Sequence, residues 1–123
     1  RGYMTVGPVL VAEQLPARSV LKKPALGYVA RYEGAHGPGS RSLFGASTWT
    51  ALEWLQHAVP QALKKAQPGT PEFRTALRDA LEGMKDVVTP EAVYTMSATN
   101  HNGADQRSQV LVRVVDGAWK LVR

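Results

Sequence analysis

The spacing of apolar residues predicts three amphipathic helices in the central part of the chain. The first covers about residues 20–36, with Pro24 near its first turn, and the second covers about residues 42–65. The third begins after Thr70, a good N-cap residue, and ends near Gly83. The predicted apolar stripes are Leu21, Ala25, Tyr28, Val29 and Tyr32 in the first helix, Leu52, Leu55, Val59, Leu63 and Ala66 in the second, and Phe73, Leu77, Ala80, Leu81 and Met84 in the third.

Extended segments are predicted on both sides of the helices. Residues 3–15 are rich in β-favouring residues and are interrupted by Gly7-Pro8, and a short strand is predicted at residues 93–96. Residues 97–106 are polar and rich in turn-forming types. The alternating pattern of residues 110–122, with Asp-Gly at its centre, predicts a β-hairpin that closes the chain.

This order of elements leaves surfaces without partners. One opening strand and a few closing strands cannot cover three amphipathic helices, so a sheet edge and several helix faces would be exposed. Pro60 lies inside the pattern of the second helix and predicts a kink or two successive helices there. The pattern is typical of a piece of a larger α/β protein.

Composition and charge narrow the classes of function. Apolar residues form 44% and charged residues 20% of the 123 residues, which is typical of one globular domain. The absence of cysteine excludes disulfides and thiol catalysis, and neither a signal peptide nor a membrane-spanning run is expected. The net charge of +5 leaves a free-standing module that binds nucleic acid or another anionic partner as an alternative, although no basic run exceeds two residues.

Histidine spacing gives little support to catalysis or metal binding. His36, His57 and His101 follow no metal-ligand pattern, so no metal and no cofactor are expected. His101 with Asp105 and Ser108 raises the alternative of a small hydrolase, but no nucleophile elbow accompanies them. We interpret this segment as a polar loop and expect a protein that is not an enzyme.

A glycine-rich turn before the second helix is the best candidate for a ligand site. Residues 37–42 lead directly into a helix N-terminus, where free N–H groups can hold an anion, although the turn is not a P-loop. Phe44 follows in the first turn, where an aromatic side chain can line a cleft. The alternative interpretation is a plain N-cap on a tight turn.

Five segments, taken in order, resemble one family. They are GPVLVAEQLP at residues 7–16, YVARYE at 28–33, GPGSRSLFGA at 37–46, HNGADQR at 101–107 and VDGAWKL at 115–121. Together they resemble the C-terminal third of a periplasmic solute-binding protein of the branched-chain amino acid ABC transporter type. The resemblance covers nearly the whole chain. It implies that residues 1–123 form a single C-terminal segment of a larger two-lobed ligand-binding protein.

The resemblance implies an α/β fragment of the type I periplasmic binding fold, with an opening strand, three helices and short strands ending in a hairpin. In that layout the helices pack on the first lobe, and the opening and closing strands cross a hinge. The implied function is to bind a small molecule in the periplasm by lobe closure and to deliver it to an ABC transporter permease, without bond chemistry or nucleic acid.

The resemblance also suggests ligand-binding residues and leaves the ligand class open. Phe44 matches an aromatic that contacts ligand in some members, and Ser42 and Arg41 lie on the same approach. Members often have Tyr-Asp-Ala where this chain has Trp49-Thr50-Ala51, so branched-chain amino acids and aromatic carboxylates both remain candidates. The principal polar contacts would lie upstream of this sequence, and the chain alone is expected to self-associate.

Overall fold

The computed structural model describes residues 2–122 and has a mixed α/β architecture. The strands are β1 (Tyr3–Val6), β2 (Val87–Val88), β3 (Val93–Tyr94), β4 (Val110–Val115) and β5 (Ala118–Leu121). The helices are α1 (Lys22–His36), α2 (Leu43–Leu63) and α3 (Pro71–Glu82), with 3₁₀ segments at Pro8–Gln14 and Gln106–Ser108. Among these residues, no helix has the length and apolar character needed to cross a membrane.

The opening strand and the closing hairpin form one antiparallel sheet in the order β1-β4-β5. Val6 pairs with Val110, and Val112, which is completely buried, pairs with Leu121 on its other side. Asp116 and Gly117 join β4 to β5 with φ values of 50° and 73°. Both residues adopt the left-handed conformation that a tight hairpin turn requires, so the predicted hairpin is confirmed.

The prediction for residues 3–15 is only partly right. Extended structure ends at Val6, and Pro8–Gln14 forms two short 3₁₀ pieces joined at Val11, whose backbone is not helical, instead of continuing the strand. Pro8 occupies the first helical position, where its fixed φ is compatible with a helical turn and its missing N–H costs little. Val9 and Ala12 pack in the core under the helices, whereas Val11 packs against the sheet. The segment therefore lies between the two halves of the core.

The first and third helices follow their predicted patterns. Tyr28 of α1 is almost fully buried and stacks on Tyr32, with ring centroids 5.3 Å apart. In α3 the Thr70 side chain accepts a hydrogen bond from the Phe73 N–H at 3.1 Å, and Gly83 caps the other end. Met84 is completely buried, and Phe73, Leu77, Ala80 and Leu81 are partly buried.

The second helix has the predicted length but buries a different face. Leu52, Leu55 and Leu63 are 52%, 43% and 52% exposed, while the buried residues of α2 are Ala46, Thr50, Ala58 and Ala62. Small side chains let neighbouring elements approach α2 closely, and the leucine face is left in solvent. Apolar periodicity identifies a helix but does not decide which neighbour covers its stripe.

Two smaller predictions also need correction. Pro60 does not divide the second helix in two, because it lies in the last turn of one helix that ends at Leu63. The alternative of a kink at Pro60 stays a prediction. The strand predicted at residues 93–96 shortens to Val93–Tyr94, which pairs with Val87–Val88. Beyond it, the Met96 N–H donates to the Met84 carbonyl at 2.8 Å, so the chain leaves the small sheet but stays attached to the end of α3.

The hairpin turn gives a first prediction. Gly117→Ala should lower the free energy of unfolding by about 1 kcal/mol, because a Cβ is disfavoured in the left-handed conformation. The matched control is Gly34→Ala within α1, where the new Cβ meets open space; it should raise stability by about 0.5–1 kcal/mol, since alanine favours helix. Urea denaturation of both variants tests the pair, and equal effects would contradict the assigned turn geometry.

Candidate functional site

The predicted site residues lie together on the wall of one open cavity of about 680 Å³. The cavity is bordered by the first 3₁₀ segment, the end of α1, the start of α2 and strand β5. Arg41, Ser42 and Phe44 line it together with Leu10, Glu13, Glu33 and Trp119. The structure thus brings the three residues to one surface, and their contact with a ligand stays a prediction.

Phe44 presents its ring to solvent at the start of α2. Its side chain is 86% exposed, which is unusual for a residue of this size in a folded domain. The helix start that carries it is well defined, because the Ser42 side chain accepts a hydrogen bond from the Gly45 N–H at 3.0 Å. Ser42 is therefore an N-cap, as the plain interpretation of the turn predicts. Ser42 also borders the cavity, and a ligand-binding role for the turn stays a prediction.

The start of α2 is also packed tightly on α1. The Tyr28 hydroxyl donates to the Ser42 carbonyl at 3.4 Å. A Cβ at position 45 would collide with that hydroxyl, so glycine is required for this close approach. Burial raises the pKa of the Tyr28 hydroxyl, which therefore stays protonated and able to donate. These contacts fix the helix end on which Phe44 is mounted.

Arg41 uses its whole guanidinium group within the protein. Nε donates to Glu33 Oε1 at 2.8 Å, and Nη1 donates to Glu13 Oε2 at 2.9 Å and to the Val9 carbonyl at 3.4 Å. Nη2 donates to Glu13 Oε1 at 2.6 Å and to Glu33 Oε2 at 3.2 Å. A guanidinium has five N–H donors, so all five have partners. The Arg41 side chain is only 17% exposed.

The same contacts determine the charge of the cavity wall. Hydrogen bonds from Arg41 lower the pKa values of both Glu13 and Glu33, and the two carboxylates raise the pKa of Arg41. All three groups are therefore charged at neutral pH. Two carboxylates and one guanidinium leave a formal charge of −1, so this wall offers no free positive charge.

Sequence reasoning missed several residues of the site. Glu13 and Glu33 lie 28 and 8 residues from Arg41, and nothing in that spacing predicts their meeting. Gln14 was also missed: its side-chain amide donates to the Trp119 carbonyl at 3.0 Å and accepts from the Leu121 N–H at 2.8 Å. An amide that pairs with the backbone of an edge strand leaves no local sequence signal, since its partners lie at the other end of the chain.

The hydrolase alternative finds no matching geometry. His101 Nε2 contacts Glu82 Oε1 at 2.9 Å, whereas Asp105 forms an ion pair with Arg107 at 2.6 Å. His36 packs against the Tyr32 ring, and within residues 2–122 no three metal-ligating side chains cluster.

The basic residues Arg41, Arg78 and Arg107 each pair with a carboxylate, so none of the three offers an unpaired charge to nucleic acid.

Comparison with known proteins points to one class. No protein-family model and no curated protein matches the chain. Solved structures do: an extracellular ligand-binding receptor from Rhodopseudomonas palustris is 40% identical, with a TM-score of 0.91 over 98% of this chain and 34% of the receptor. Two such receptors from strain HaA2 are 39% and 38% identical, with TM-scores of 0.91 and 0.84.

The chain is therefore similar to about one third of the length of these extracellular ligand-binding receptors, and the predicted resemblance is confirmed. It has the fold of a fragment of the type I periplasmic binding proteins. It spans about one third of the length of the receptors that it matches.

The ion pairs of Arg41 predict a specific acid sensitivity. The unperturbed pKa of glutamate is 4.5, and the folded values of Glu13 and Glu33 lie below it. The stability that these carboxylates contribute is therefore complete above pH 4.5 and is lost as the pH falls through the lowered values. Unfolding free energies measured by urea titration between neutral pH and acid should decrease over that interval.

Variants separate this effect from general acid unfolding. Glu13→Gln with Glu33→Gln should flatten the acid limb of the stability profile. Glu72→Gln, which removes an exposed carboxylate away from the cavity, is the control for the loss of an acidic side chain as such. An acid limb that is unchanged in the double variant would contradict the assigned role of the ion pairs.

Proposed function

We propose that this chain is the C-terminal part of a periplasmic solute-binding protein that binds a small molecule and delivers it to the permease of an ABC importer. The observation that carries the proposal is an exposed aromatic side chain, Phe44, on the wall of a cavity, in a fold shared with extracellular ligand-binding receptors at 40% identity. The role is one of binding and transfer, without bond chemistry.

Lobe closure is the proposed mechanism. The cavity is open on one side, as expected when this chain supplies one wall of a cleft whose other wall belongs to the rest of the receptor. A ligand that contacts both walls stabilises the closed arrangement over the open one. The sheet β1-β4-β5 combines the opening and closing strands of the chain, so it is the element that we assign to the hinge crossing.

The wall suits the apolar part of a ligand. Phe44, Leu10 and Trp119 offer two aromatic rings and an aliphatic side chain to the cavity. Aromatic and aliphatic groups both bind to such surfaces, so the proposed ligands are branched-chain amino acids or aromatic carboxylates. Ser42 and Arg41 border the same surface, and most polar contacts to the ligand would come from the other wall.

The proposal also accounts for the exposed leucine face of α2. In the whole receptor this face, formed by Leu52, Leu55 and Leu63, would pack against the first lobe. In the isolated chain it would remain in water, together with the unpaired edge of β1, and both surfaces favour association with another copy.

Self-association of the isolated chain is therefore an expected outcome. Light scattering at increasing concentration should show dimers or larger species. Leu52→Lys with Leu55→Lys should shift the distribution towards monomer, because charge on the helix face opposes apolar contact. A matched control, His57→Lys with Gln61→Lys, adds the same charge at exposed positions of the same helix outside the leucine face. A wild-type chain that stays monomeric would contradict the prediction.

Ligand binding is tested on the full-length receptor that contains this chain. Calorimetric titration with leucine, isoleucine, valine, benzoate and 4-hydroxybenzoate should identify at least one ligand. Phe44→Ala should weaken its binding by roughly tenfold, since burial of an aromatic ring contributes about 1–2 kcal/mol. Val88→Ala, at an exposed apolar residue that does not line the cavity, should bind as the wild type does. No binding of any of the five compounds would count against the proposal.

A further inference from the structure

We propose that Arg41 is a positioning residue and not a ligand contact: it fixes the cavity wall, which receives the apolar part of the ligand. The inference rests on the proposed function, because it concerns the same cavity. It goes beyond that function by assigning opposite roles to two neighbouring residues, with Phe44 touching the ligand and Arg41 holding Phe44 in place.

The first argument is that Arg41 has no donor left for a ligand. All five of its N–H groups are engaged by Glu13, Glu33 and the Val9 carbonyl. A ligand carboxylate would have to displace one of the glutamates, each of which accepts two of these hydrogen bonds. The two glutamates also disfavour an anion beside this guanidinium. Arg41 is therefore not the group that binds the anionic part of a ligand.

The second argument is that Glu33 holds the turn before α2 at two positions. Glu33 Oε1 accepts from the Gly39 N–H at 3.1 Å as well as from Arg41. Within the turn, the Ser40 hydroxyl donates to the Gly37 carbonyl at 2.6 Å. Gly37 and Gly39 have φ values of 97° and 76°, so the turn uses conformations that other residues rarely adopt. The hydrogen bonds from Gly39 and Arg41 to Glu33 favour this conformation of the turn over the others that glycine can adopt.

The third argument is that both aromatic walls are tied to one segment. Glu13 connects Pro8–Gln14 to Arg41 and hence to the turn that leads to Phe44. The next residue, Gln14, connects the same segment to the backbone of Trp119 and Leu121 in β5. The two aromatic rings of the cavity are therefore positioned relative to each other through adjacent side chains. These contacts therefore set the distance between the Phe44 and Trp119 rings, and so the space that the apolar part of a ligand can occupy.

Hydrogen exchange on the ligand-free receptor tests positioning directly. Arg41→Lys keeps the charge but cannot form the fork of bonds to both glutamates. It should reduce amide protection at residues 37–45 by roughly tenfold and leave protection in the middle of α1 unchanged. Arg107→Lys, which alters an arginine paired with one carboxylate away from the cavity, should leave both regions unchanged. Unchanged protection at residues 37–45 in Arg41→Lys, or an equal loss throughout the domain, would overturn the proposal.

A double-mutant cycle tests the same inference through binding. For a compound that binds among the five named above, dissociation constants are measured for Arg41→Lys, Phe44→Ala and both together. If Arg41 acts through Phe44, Arg41→Lys should weaken binding several-fold in the wild-type background and have almost no effect beside Phe44→Ala. Independent, additive losses would mean that Arg41 does not act through Phe44 and would overturn the proposal.

The two experiments separate this inference from the proposed function. If none of the five compounds binds, the proposed function loses its support, while the exchange experiment still decides whether Arg41 positions the turn. If a compound binds but the cycle is additive, the proposed function stands and the positioning role is wrong.

Discussion

The structure depends on the burial of one short segment, Pro8–Gln14, between the helices and the sheet. Val9 and Ala12 belong to the helical side of the core, and Val11 belongs to the sheet side. The polar side chains at its end, Glu13 and Gln14, reach Arg41 and strand β5. Displacement of this segment would therefore disturb both halves of the core and the two contacts that shape the cavity.

The charged groups of the cavity wall position the backbone of the wall more than they attract a ligand. Arg41 is largely enclosed and has a carboxylate on each side, and an ion pair with complete hydrogen bonding gains specificity of shape even where its net stabilisation is small. The ring of Phe44 is exposed and apolar, so its removal from water on contact with a ligand is favourable. A rigid polar base that carries an exposed aromatic ring is a common arrangement for binding surfaces, in which order before binding lowers the entropy cost.

Two surfaces of the described residues remain without a partner. Leucines of α2 lie in solvent, and β1 forms an unpaired edge of its sheet. The proposal that the chain is one part of a longer receptor accounts for both features, since faces that pack on a remaining lobe need apolar side chains. The same reasoning explains why the buried face of α2 consists of small residues: the strong apolar stripe points away from the part of the core that this chain contains.

Local signals in the sequence determined the elements whose physics is local. The Thr70 cap, the Gly83 stop, the Asp116-Gly117 turn and the stripe of α1 follow from rules that operate over a few residues, and the place of Phe44 beside a helix start follows from the turn before it. Only the tertiary structure decided the 3₁₀ path after Gly7, the face that α2 buries and the partners of Arg41. Each of these depends on groups distant in sequence, and periodicity carries no information about which distant surface a side chain will meet.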